Sequence, residues 1–178
     1  MDLFVDRVTS PIGALRLLWS GTAGQIALRM LHLPGDDGLA RAVERHYGPC
    51  HLIPSPAPPE IRDPLEAYFA GRIAAIDSIP VEAAGTPFQL EVWAALRRIP
   101  AGSTTSYGQL AARIGRPNAS RAVGLANGSN PVAIVVPCHR VIGANGALTG
   151  YGGGLARKRW LLDHERGGAL PFTEEKSV

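Results

Sequence analysis

The sequence predicts an α+β protein: a small N-terminal antiparallel β-sheet with helices, then a mostly helical C-terminal domain with a helix-turn-helix and a short active-site strand. Three observations predict it. Short apolar runs separated by Gly- and Pro-bearing turns open the chain, the pattern of paired strands. Later, helix start signals and apolar residues at helical spacing take over. Finally, 21 Gly and 15 Pro make roughly a fifth of the chain against a usual figure of about 12%, so turns should be abundant.

The strand-like runs are about Leu3 to Val8, Ala14 to Trp19 and Gln25 to Leu33, divided by Ser10-Pro11-Ile12-Gly13 and Ser20-Gly21-Thr22-Ala23-Gly24. A helix is expected from about Gly38 to Tyr47. A Pro-rich surface loop should follow over 48–60, with Pro49, Pro54, Pro56, Pro58 and Pro59. Asp63-Pro64-Leu65-Glu66 offers an N-cap, a Pro at the first helical position and a Glu in the first turn, so a short helix should reach Gly71. Thr86-Pro87-Phe88-Gln89 repeats the signal, with Phe88, Val92, Trp93 and Leu96 on one helical face. The expected division is therefore an N-terminal domain over 1–84 and a C-terminal domain over 85–178. Within the latter, Ser106 can cap a helix reaching Ile114, Gly115 to Pro117 breaks it, and a second helix runs from about Asn118 to Asn127. That makes a helix-turn-helix over about 106–127.

Length suits one compact domain or two small ones, and 46% hydrophobic with 19% charged residues is globular composition. No apolar stretch approaches the roughly 18 residues needed to cross a bilayer, and Met1-Asp2-Leu3-Phe4 lacks the basic start of a secretory signal. The expected location is the cytoplasm, with no membrane partner. Cys50 and Cys138 are the only cysteines, so a disulfide framework and a C-x-x-C metal site are both excluded. His46 and His51 flank Cys50 too sparsely to suggest a metal site; no metal and no cofactor are expected. The net charge is +3, and its distribution is uneven: residues 97–159 hold nine cations and no acid, whereas residues 1–84 hold ten acids and seven bases. An acid-free segment of this length suits a phosphate-binding face.

The second helix of the helix-turn-helix is unusual for a major-groove reader. Ala119, Ser120, Ala122, Gly124 and Ala126 are small, and Arg121 is its only long polar side chain. An ordinary helix of about 10 to 12 Å does not enter a minor groove about 6 Å wide, but small side chains and a widened groove allow approach. Minor-groove docking with one inserted side chain is the physical reading; close helix packing is the structural alternative. Val132-Ala133-Ile134-Val135-Val136 then reads as a buried strand that ends in Pro137-Cys138-His139-Arg140-Val141, an active-site motif over 137–141. His139 can help form the Cys138 thiolate; neighbours in extended chain point oppositely, so a water should link them. Glu165 closes a helix beginning near Leu155 and could hold His139 in the required tautomer. Cys, His and Glu alone would equally suit a thiol hydrolase; the adjacent helix-turn-helix argues against it.

Ser120-Arg121-Ala122-Val123-Gly124, Asn130-Pro131, Pro137-Cys138-His139-Arg140-Val141 and Gly150-Tyr151-Gly152-Gly153-Gly154-Leu155 resemble the successive motifs of the O6-alkylguanine-DNA alkyltransferases. The strong resemblance covers about 86–165. It implies direct-reversal DNA repair: irreversible, single-turnover transfer of an alkyl group from O6 of guanine, and from O4 of thymine, to Cys138. His139, a bound water and Glu165 would assist deprotonation, and Asn130 would be the hinge against the helix-turn-helix. Tyr107 would push on the target phosphate and donate to the flipped guanine. Arg121 would fill the vacated stack, with Ala119, Ser120 and Ala122 beside it on the DNA. The carbonyls of Cys138 and Val141 would accept from the guanine amino group, and Tyr151 and Gly152, in an active-site loop over 143–154, would cover the pocket. Gly152 stands where some relatives carry Ser, leaving only its backbone N–H for the base. The implied partner is double-stranded DNA, bound through the minor groove by a protein that is monomeric in solution; whether it binds cooperatively along DNA stays open at this point. A non-catalytic DNA-binding module is the competing class: Cys138 argues against a lesion-recognition relative lacking the nucleophile, and the small-residue second helix argues against a helix-turn-helix regulator. The polar tail after Gly167 is expected to be dispensable.

Overall fold

The computed structural model describes residues 1–35 and 38–174; the end of the tail, Glu175 to Val178, lies outside the described residues. Strands β1 (Asp2–Ser10), β2 (Gly13–Ser20) and β3 (Ala27–His32) form an antiparallel meander. The β1–β2 turn is tight: Gly13 has φ 108°, and Ser10 Oγ donates to Gly13 O at 2.6 Å. The sheet is covered on both faces, which explains why β2 and β3 read as nearly continuous apolar runs. Leu3, Leu18 and Met30 pack on Val43 of helix α1 (Leu39–Tyr47), whereas Leu15, Leu17, Leu28 and Leu31 face the main core.

Three expectations are corrected here. The sheet is mixed, because β4 (His51–Pro54) pairs parallel with β1 to give the order β3-β2-β1-β4. That strand lies inside the segment expected to be a surface loop over 48–60. Its Pro54 sits at the strand end, where a missing N–H costs little. Helix α2 (Pro59–Phe69) begins at the Pro58 cap, well before the expected start, and carries Pro64 in its interior. Pro64 there forfeits a backbone hydrogen bond; burial of Ile61, Leu65 and Tyr68 on one face outweighs the loss. The third correction concerns 132–136, which is fully buried yet is not a strand.

A 3-10 helix (Ile73–Ser78) and an extended connection lead to α3 (Pro87–Leu96). Thr86 caps α3 as expected, with reciprocal Thr86–Gln89 bonds of 3.3 and 2.9 Å. Helices α4 (Tyr107–Arg113) and α5 (Ser120–Gly128) form the helix-turn-helix, α4 opened by a Ser106–Gln109 capping box. Trp93 Nε1 donates to Ala126 O at 2.8 Å, tying α3 to α5. The core is continuous across the connection near residue 84, joining Leu17 and Leu31 to Val92, Leu96, Leu110 and Leu161. Helix α6 (Leu155–Glu165) closes the fold.

The exposed edge of β3 is occupied rather than left open. Leu28 N donates to Pro80 O at 2.8 Å and Leu31 N to Pro131 O at 3.0 Å, and Leu31 bridges Val132. The segment leading to Cys138 is thereby docked on the sheet.

Candidate active site

From Val132 to Val136 the chain turns instead of extending: Val135 N bonds Ala133 O at 2.8 Å and Val136 N bonds Val132 O at 2.9 Å. Ile134 takes φ 71°, a left-handed conformation that is strained for a β-branched residue. Asn130 makes the turn hold. Its Oδ1 accepts from Val132 N at 2.9 Å and its Nδ2 donates to Val136 O at 2.8 Å, bridging both ends. Cys138 then opens a 3-10 helix (Cys138–Arg140). The short strand at the site follows the cysteine: β6 (Val141–Ile142) pairs parallel with β5 (Thr105–Ser106), joining the site to the start of α4.

Cys138 is buried, and burial pushes its thiol pKa up; the Asn130 side chain and the Lys158 charge pull it back in part. His139 and Glu165 are wholly buried and meet at 2.8 Å between Nε2 and Oε1. His139 Nδ1 is buried and unpartnered. With Nε2–H given to Glu165, Nδ1 presents a lone pair. Arg140 grips Glu165 with two bonds, Nε to Oε2 at 2.9 Å and Nη2 to Oε1 at 2.8 Å, and donates to Ile99 O at 2.6 Å. Tyr68 Oη adds a bond to Oε1 at 3.0 Å. Burial opposes ionisation of Glu165, but the bonds from His139 and Arg140 outweigh it and hold the carboxyl well below its usual range. Burial lowers the pKa of His139, which is therefore neutral at rest.

Cys138 lines a cavity of about 470 Å³. Its walls are Leu33 and Ala133; Tyr107, Gly124, Asn127 and Gly128 of the helix-turn-helix; Asn130; and Thr149, Gly150, Tyr151 and Gly152 of the loop. Tyr107 Oη pairs with Thr149 Oγ1 at 2.8 Å. Tyr151 Oη and Asn127 Oδ1 are buried without partners. The structure thus gathers Cys138, Asn130, Tyr107, Tyr151 and Gly152 around one space. Neither His139 nor Glu165 lines this cavity. Val141 O accepts from Lys158 Nζ at 2.7 Å. Ala119 caps α5 half-buried, whereas Ser120, Arg121 and Ala122 are exposed outside the cavity.

Sequence reasoning missed Lys158, Arg140, Arg157 and Tyr68. Lys158 is fully buried, and its Nζ bonds Val141 O and Thr149 O at 2.7 and 2.8 Å, clamping β6 to the loop. Arg140, Arg157 and Lys158 belong to the nine-cation segment expected to suit a phosphate-binding face, and all three turn inward. No local signal separates an inward from an outward cation; only the fold does.

The match to known proteins agrees with this arrangement. Residues 87–167 match the family model described as 6-O-methylguanine DNA methyltransferase, DNA binding domain. A Salmonella typhimurium methylated-DNA–protein-cysteine methyltransferase is 48% identical over 93% of this chain and 96% of that protein. A Mycobacterium tuberculosis protein of the same name is 49% identical over 89% and 90%. Among solved structures, Mycobacterium tuberculosis OGT in complex with DNA superposes with a TM-score of 0.75 and 43% identity, covering 95% of both chains. The Pyrococcus kodakaraensis O6-methylguanine-DNA methyltransferase superposes at 0.64 with 25% identity, covering 92% of this chain and 98% of that one. With near-complete coverage by relatives close to half identical, this chain belongs to the methylated-DNA–protein-cysteine methyltransferase family.

Proposed function

We propose that this chain repairs DNA by direct reversal, moving a methyl or larger alkyl group from O6 of guanine, and from O4 of thymine, onto Sγ of Cys138. The observation that carries this reading is the buried thiol on the wall of a base-sized cavity, backed by the His139–Glu165 pair. The thiol is protonated at rest, so its proton must leave as the S–C bond forms. His139 Nδ1 takes it through a water, and Glu165 and Arg140 hold the ring in the tautomer that can. The C–O6 bond breaks with its electron pair going to guanine, and the Tyr107 hydroxyl donates toward the leaving base to spread that charge. Asn130 keeps the Cys138 turn against the helix-turn-helix. The carbonyls of Cys138 and Val141 accept from the guanine amino group, Val141 with the lone pair that Lys158 leaves, and Tyr151 and Gly152 cover the base.

DNA is the partner, met by residues 85–178 while residues 1–84 support the site. A base inside the duplex offers no line of attack, so it must flip into the cavity. Small residues Ala119, Ser120 and Ala122 let α5 approach a minor groove, and the exposed Arg121 fills the vacated stack. Leu125, 73% exposed one turn beyond Arg121, adds apolar contact in the groove. The protein is a monomer in solution before it meets DNA. Among the described residues no helix is long and apolar enough to cross a membrane, and we assign the chain to the cytoplasm.

Two expected results test this. Titrating O6-methylguanine duplex against a known amount of protein plateaus at one methyl per active molecule, mapped by mass to Cys138. A thioether carbon carries no carbonyl for water to attack, so nothing regenerates the thiol. Repair continuing well past one equivalent sinks the mechanism. Arg121→Ala slows duplex repair by about tenfold or more while reaction with free O6-benzylguanine hardly changes, because only the duplex needs extrusion. Equal losses on both substrates remove the finger role.

A further inference from the structure

Arg157 stands in the first turn of α6, 7% exposed, and the transfer chemistry leaves it unused. Its Nε donates to Ile12 O in the β1–β2 turn at 2.8 Å, and its Nη1 donates to Gly153 O in the active-site loop at 3.1 Å. Its Nη2 reaches the Glu174 carboxylate, and the guanidinium lies 4.9 Å over the Phe172 ring. The bare glycine at 153 leaves room beside it: a Cβ there would stand 3.3 Å from Arg157 Cδ and 2.7 Å from Leu33 Cδ1. Leu33 itself lines the cavity.

Lys158, the next residue, holds the other end of the same stretch through Thr149 O. Two consecutive buried cations therefore grip Thr149 and Gly153, with Gly150, Tyr151 and Gly152 of the cavity wall between them. A buried guanidinium is costly unless a counter-charge answers it. Among the described residues, Glu174 is the carboxylate that pairs with Arg157. The tail expected to be dispensable thus packs on the element that holds the loop: Phe172 joins the main core, and Leu170 O accepts from Trp160 Nε1 at 2.8 Å.

We propose that Arg157 is a positioning residue for the active-site loop and that the segment from Phe172 to Glu174 is the strap that keeps it in place. The C-terminal segment sets how firmly the loop closes over a base in the cavity; this rests on the cavity being the base site. Loop positioning acts on the base and leaves the thiol alone. The informative quantity is therefore the ratio of the rate with free O6-benzylguanine to the rate of Cys138 alkylation by iodoacetamide, followed at Cys138 by peptide mapping. Unfolding would expose the buried Cys138 to iodoacetamide and lower the ratio by itself, so the ratio is read only on protein that remains native.

In Arg157→Met the ratio falls by about tenfold, since a misplaced wall costs orientation. In full-length Phe172→Ala/Glu174→Ala it falls by about threefold, in keeping with the loss of a partly exposed ion pair and a cation–π contact. Both are measured at a temperature where circular dichroism shows native protein. An unchanged ratio in Arg157→Met overturns the positioning role, and an unchanged ratio in the double variant overturns the strap. If Arg157→Met does not fold, the double variant decides alone. The unaltered protein, taking up one benzyl group at Cys138 or failing to, reports separately on the base-site reading.

Discussion

Cys138→Ser should abolish alkyl transfer while leaving DNA affinity within about twofold, because phosphate contacts supply the affinity and the thiol supplies the chemistry. The swap is close to isosteric, so the buried turn around Asn130 should survive it. What changes is the nucleophile. A serine hydroxyl ionises far less readily than a thiol, and burial that already raises the Cys138 pKa would raise the hydroxyl further. His139, neutral through burial, is too weak a base to compensate. A loss of about 10⁴-fold or more is expected, comparable to removing the nucleophile in other covalent mechanisms. Incubation with O6-methylguanine duplex followed by intact mass measures transfer, and mobility shift measures binding. A variant that still acquires the methyl group would move the acceptor elsewhere, with Cys50 the first candidate.

Much of this architecture can be read without coordinates where the determinant is local. The cap at Thr86, the cap at Ser106 and the break at Gly115 are satisfied within one turn of chain, and all three fall where expected. The motif from Pro137 to Val141 is legible for the same reason: its residues are contiguous. Failures arise where a distant partner decides. Strand β4 exists because β1 offers it an edge, with Asp2 opposite His51 and Phe4 opposite Ile53, and its Pro-rich surroundings hide it. Pro64 signals a helix start locally, yet the buried stripe of Ile61, Leu65 and Tyr68 carries the helix past it. The run from Val132 to Val136 is apolar because it is buried on all sides, which any buried segment requires; the Asn130 bridge and the strained Ile134 make it a turn. Cations mislead in the same way. Arg140, Arg157 and Lys158 look like members of an outer positive face until Glu165, Glu174 and the loop carbonyls come to meet them.

Glu165→Gln should cost both stability and rate, and separating the two is informative. Glu165 accepts from His139, from Arg140 twice and from Tyr68. A glutamine supplies one acceptor oxygen and turns the other position into a donor facing donors. Arg140 is left as a buried cation without a counter-charge, a loss of about 3–5 kcal/mol by analogy with other broken buried pairs. The variant also alters the acid limb of stability. Glu165 has a depressed pKa in the folded state, so its contribution is complete above the unfolded carboxylate value of about 4.3 and is lost as pH falls below it. His139 is depressed as well, so its contribution fades below about 6.5, the unfolded imidazole value. Wild-type stability should therefore fall in two stages on acidification, and Glu165→Gln should lose the lower one. Transfer should slow by about 10²-fold or more, since His139 is no longer held in the tautomer that leaves Nδ1 free. Adding Arg140→Met removes the orphan charge and should restore part of the stability without restoring the rate. Recovery of transfer along with stability in that double variant would mean that Glu165 acts on the fold alone and has no part in activating Cys138.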